Sequence, residues 1–178
     1  MSHLRKEKVM RKRKNKKLKV SVSLPRLSEL EFSNADRFEE AVSFYLTELG
    51  VSKRLQNTLS VKVHIRKTTL GKSTLGSCDI LLNGSKSTKD FKIVIRWDMP
   101  FYSQLSTLAH ECAHIAQQVS GRLQLRRWSS DGKKHVRWEG KDLGEYLVDV
   151  SYEDAPWEKE AFAFGKKAYE NIFKKWRK

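Results

Sequence analysis

The five residues His110-Glu111-Cys112-Ala113-His114 spell HExxH, a spacing suited to metal-assisted hydrolysis. On an α-helix, positions i and i+4 lie one turn apart, roughly 5–6 Å between Cβ atoms. The imidazoles of His110 and His114 therefore project from one face toward one ion. Glu111 is offset by one residue, which sets its carboxylate beside the ion, where it can take a proton from water and pass it to a leaving amine. Two histidines buried in an apolar stripe without such a purpose would be costly. A catalytic zinc takes three protein ligands. Beyond the motif stand His3, His64 and His135 and a series of downstream acids. Pro156-Trp157-Glu158-Lys159-Glu160-Ala161 opens a second helix with proline at its first position, and a glutamate early in that helix could reach across to the ion.

The run LAHECAHIAQQ, followed some forty residues later by YEDAPWEKEA, resembles small, often phage-encoded metallopeptidase-like proteins that pair HExxHxxQ with a PWExEA helix. It is similar also to the wider SprT-like and minimal zincin group. The resemblance spans the last two thirds of the chain. It implies Zn2+ held by His110, His114 and Glu160, with Glu158 as the alternative third ligand, Glu111 as general base, and a protein or peptide substrate. Cys78 and Cys112 are the only cysteines, so the zinc ribbon of SprT-type proteases has no counterpart. His135 lies in a charged segment that reads as hairpin surface. An oxyanion also needs a donor; Tyr152, four residues before Pro156, is the candidate, with His135 behind it.

The elements that would position these residues follow from periodicity. Leu105 to Val119 is a helix with an apolar stripe, and Gly121 suits its C-terminal cap. An earlier helix runs from Asp36 to Leu46, capped by Ser33 or Asn34 and ended by Gly50. Alternating or β-branched runs at 61–66, 78–82 and 91–97 read as strands. The last of these leads through Asp98-Met99-Pro100 into the motif helix, and by the resemblance it forms the upper edge of the cleft. Leu123–Trp128 and Lys133–Trp138, joined through Asp131-Gly132, read as a hairpin with Trp128 and Trp138 as cross-strand partners; residues 140–155 read as a connection over the site. Gly71-Lys72-Ser73-Thr74 is a turn, because Arg66 stands where a phosphate-binding loop needs glycine. The expected fold is α+β: a small zincin-like domain with about three strands packed on two or three helices, plus a β-hairpin insertion.

The net charge of +15 is unevenly spread: residues 1–19 hold ten Lys or Arg against the single Glu7. Such a run cannot bury enough apolar surface to fold alone. Residues 1–24 are expected to be a basic arm, disordered or ordered by a partner, and 25–178 the metallopeptidase domain. The arm would attract phosphate backbones without reading sequence. Two cysteines fit a reducing cytosol, and no apolar run approaches membrane-spanning length. The competing readings are a nucleic-acid or nucleoprotein binding module and a phage structural protein on the same scaffold.

Overall fold

The computed structural model describes residues 17–24, 32–66, 75–80, 89–127, 134–145, 149, 151–152 and 154–177. The chain is α+β. Strand β1 (Lys19–Ser23) leads to helices α1 (Phe32–Glu48) and α2 (Lys53–Gln56). Strands β2 (Ser60–Arg66), β3 (Gly76–Ile80) and β4 (Asp90–Arg96) follow, then helix α3 (Phe101–Val119). A second set of strands, β5 (Leu123–Arg127), β6 (Lys134–Trp138) and β7 (Lys141–Glu145), precedes helix α4 (Pro156–Trp176).

The main sheet has the order β1-β2-β4-β3. β1 and β4 run parallel to β2, with Val63 opposite both Val22 and Ile93, while β3 runs antiparallel to β4 with Cys78 opposite Ile93. Strict alternation drives one face into the core: Val61, Val63, Ile65, Phe91, Ile93 and Ile95 are all buried, and α1 and α3 cover them. Helical spacing brings Phe38, Ala41, Val42, Tyr45 and Leu46 of α1 to that face, with Leu105, Leu108, Cys112 and Ile115 of α3 beside them. α4 lies along α3, and its end is tied to both α3 and α1: Trp176 stacks on Phe101 of α3 and donates to Glu40 of α1 at 2.9 Å, and Lys175 pairs with the same carboxylate at 2.6 Å. No described helix is long and apolar enough to cross a membrane.

The expected α+β fold is borne out, with four details changed. The main sheet has four strands among the described residues against the expected three or so, because Lys19–Ser23 is a strand rather than part of the arm. Val20 and Val22 alternate with polar residues and pack on the core, so the folded region reaches back to residue 19 instead of starting at 25. The hairpin is part of a three-stranded sheet, β5-β6-β7. Glu139 and Gly140, with φ of 48° and 84°, form a two-residue turn of the kind that closes tight hairpins, and so part of the expected connection becomes β7. Finally, among the described residues β4 lies inside the sheet and β3 at its edge, and β3 borders the cleft. Residues 1–16, Gly71–Thr74, Trp128 and the Asp131-Gly132 turn lie outside the described residues.

Candidate metal centre

α3 carries two opposed faces. One is apolar and faces the sheet. The other presents His110, Glu111, His114 and Gln117, and all but His114 are less than a tenth exposed. The imidazoles of His110 and His114 stand almost perpendicular, with their Nε2 atoms 3.1 Å apart.

α4 closes over this face because one residue lets it come close. A Cβ on Gly165 would lie 3.0 Å from the Ser106 carbonyl oxygen and 3.4 Å from the His110 Cβ. The Ser106 hydroxyl donates to the Gly165 carbonyl at 3.0 Å across the same crossing. Pro156 starts α4, and Glu158 lies in its first turn, where the positive end of the helix dipole favours a carboxylate. Its Oε2 lies 3.3 Å from His110 Nε2 and 3.4 Å from His114 Nε2. The three atoms fall within 4.8 Å of one another, and His110, His114 and Glu158 are the one such group found among the described residues.

Glu160, expected as the third ligand, is elsewhere. Residues two apart on a helix point about 200° apart, so α4 can aim only one of its two glutamates at α3. The phase selects Glu158. Glu160 is instead gripped by the Arg122 guanidinium, at 2.9 Å to Oε1 and 2.5 Å to Oε2. Arg122 also bonds Glu139 at 2.9 Å and lies over the Trp138 ring at 4.6 Å. His135 is outside the cluster, 3.7 Å from Asp142.

The electrostatics of the centre follow from burial and proximity. Burial works to raise the Glu158 carboxyl, but contact with the His110 and then the His114 imidazole outweighs it and holds the group at about 2. Burial lowers the affinity of the His114 ring for a proton, and the Glu158 and Glu111 carboxylates more than reverse this. Burial pushes Glu111 up to about 7; His114 opposes the shift, and Glu158 and Asp79 add to it. His110 Nδ1 is buried without a partner, and Glu158 Oε2, also buried, faces the two imidazole nitrogens at 3.3 and 3.4 Å without a well-aligned hydrogen bond. Buried polar atoms of native proteins are nearly always paired. An ion on the two Nε2 atoms and the glutamate oxygen would satisfy Glu158, and two imidazoles with a carboxylate are a common donor set for first-row divalent metals. The residues present fit a metal ion.

A cleft of about 860 Å³ opens over this group. One wall is Leu75 with Gly76 to Asp79 of β3; another is α4, with Phe162 packed on His110 at a ring separation of 4.5 Å. Glu111 lines the cleft, its Oε1 only 3.0 Å from where a Gly76 Cβ would lie. The same Cβ would lie 2.5 Å from Thr107 Cγ2, so glycine lets β3 pack closely on this turn of α3. Tyr152 is at the rim, half exposed, its ring edge-on to Phe162 at 6.3 Å. The structure thus gathers His110, Glu111, His114 and Tyr152 around one cleft and leaves Glu160 and His135 out. Sequence reasoning missed Gly76, Gly165 and Arg122. The glutamine of HExxHxxQ was in view without a role, and here Gln117 meets His114 Nδ1 at 3.0 Å.

Comparison of the chain with protein-family models, with curated proteins and with solved structures finds no match.

Proposed function

We propose that this chain is a zinc-dependent metallopeptidase. One observation carries the reading: a His110, His114 and Glu158 cluster on the floor of an open cleft, with the Glu111 carboxylate beside it and a sheet edge above it. Bound zinc would supply a Lewis acid that polarises a carbonyl and makes nearby water more acidic. Glu111 would receive the proton of the attacking water and return it to the leaving amine. β3 is the edge of its sheet among the described residues, so an extended polypeptide lying in the cleft could pair with its main chain. Tyr152, at the rim, is the proposed donor to the developing oxyanion.

The test is Glu111→Gln on zinc-loaded protein, with fluorescent casein and a peptide library as probes. Retained zinc with turnover reduced by about 10²- to 10⁴-fold is expected. Equal turnover by the two proteins would overturn the mechanism.

The ten cations among residues 1–19 favour a second reading that is compatible with the first: the arm brings the domain to nucleic acid. Deleting residues 1–16, which leaves β1 intact, is expected to abolish a DNA affinity that falls steeply with salt. Unchanged binding after the deletion would remove the arm from the account.

A further inference from the structure

Gln117 is almost fully buried, and its amide has three partners. Its Nε2 donates to the Trp157 carbonyl at 2.9 Å and to Glu160 Oε1 at 3.3 Å; its Oε1 faces His114 Nδ1 at 3.0 Å. An amide nitrogen has two hydrogens and no acceptor capacity. Here both hydrogens point at oxygens that can only accept. Reversing the amide would set its oxygen against a carbonyl and a carboxylate with no proton between them. The orientation is therefore dictated by Trp157 and Glu160, and Glu160 is itself held by Arg122.

We infer that Gln117 is a positioning residue that fixes the tautomer of His114. Two acceptors compete for the one proton of the neutral ring, Gln117 Oε1 at 3.0 Å from Nδ1 and Glu158 Oε2 at 3.4 Å from Nε2; the shorter contact favours Nδ1, and the Nε2 lone pair can then accept a hydrogen bond from His110 Nε2 at 3.1 Å. The partner of a ligating histidine's other nitrogen generally sets which nitrogen binds a metal. His110 provides the contrast, since its Nδ1 is buried without a partner. Glu160, placed by the resemblance on the metal, acts two bonds behind it. The inference rests on the metal-centre reading, but it makes a separate claim about the metal-free protein.

The experiment is long-range nitrogen–proton correlation of labelled histidine on metal-free protein in alkaline buffer, where the rings are neutral. Zinc and cobalt affinities are measured alongside, for wild type, Gln117→Met and Glu160→Ala. His114 in wild type should show Nδ1 protonated and Nε2 bare. Gln117→Met should average the two tautomers and weaken zinc binding by about 10- to 100-fold. Glu160→Ala, at a partly exposed helical position, should shift both readouts the same way by less. A wild-type His114 protonated on Nε2 would overturn the inference, as would a folded Gln117→Met with unchanged spectrum and affinity. If Gln117→Met does not fold, Glu160→Ala decides, and an unchanged His114 signal there overturns it. A wild type with the expected tautomer that binds neither metal would sustain the role of Gln117 and overturn the metallopeptidase reading.

Discussion

Two of the places where this molecule buries polar side chains do it in opposite ways. Beside α2, Gln56 is 1% exposed; its amide donates to the Val51 carbonyl at 2.7 Å and to Thr47 Oγ1 at 3.1 Å, and its oxygen accepts from Lys53 at 3.3 Å. Each bond serves the local turn, and no atom of that side chain is left buried and unpaired. Beside α3, Glu158 and His110 each keep a buried atom without a well-aligned hydrogen bond, although both sit in a crowd of polar groups. A structural polar residue is satisfied by its own fold. A cluster of metal-ligand types left short of partners by its fold could be completed by an ion, as the proposed function requires.

The contrast can be broken most severely at Glu158. Glu158→Gln should lose stoichiometric metal while the protein still folds. At a hundredfold excess of metal over its Kd, binding is worth ~2.7 kcal/mol. A chelator should then lower the melting temperature of wild type by about 5–10 °C and leave that of Glu158→Gln unmoved. A chelator response of the same size in both proteins would place the metal elsewhere. Gly165→Ala tests the same region through its packing. The added methyl meets backbone at Ser106, which should cost about 1–3 kcal/mol and weaken metal binding as well, read by denaturant titration with and without zinc. Gln56→Leu attacks the other region. It strands the Val51 carbonyl and should cost about 1–3 kcal/mol by denaturant titration, with zinc affinity unchanged. The smallest effect sharpens the rule. The Tyr45 hydroxyl is another buried atom without a partner, but it is packed among Phe44, Phe164 and the core. Tyr45→Phe should leave stability level or raise it by up to about 1 kcal/mol, with no change in zinc affinity. A loss of metal in that variant would mean that lone orphans, and not only clustered ones, report on function.

The parts of the site readable from the chain were those set by local periodicity. The two histidines of α3 share a face because they are one turn apart, and Pro156 marks the start of α4. The choice between Glu158 and Glu160 was not local. Both lie in the opening turns of the same helix, and only the rotation of α4 against α3, set around Gly165, selects between them. The fold divides in the same way. The cores of α1, β2, β4 and α3 follow from their apolar patterns, while β1 was concealed by the basic run leading into it. β7, Lys141–Glu145, has a single large apolar residue, Leu143; it is a strand because the Glu139-Gly140 turn folds it onto β6. Arg122 carries no pattern at all, and its role depends on partners that come 17 and 38 residues later.

The Ser106–Gly165 crossing has a consequence for which ions the centre will accept. The distance between the imidazole pair and Glu158 is set where two stiff helices touch, not by a loop that can bend. An ion with longer bonds than the proposed zinc, such as cadmium or calcium, would press outward on α3 and α4, and through them on the core that both helices anchor. The crossing works as a calliper, and the hydrophobic core is the spring that holds its jaws.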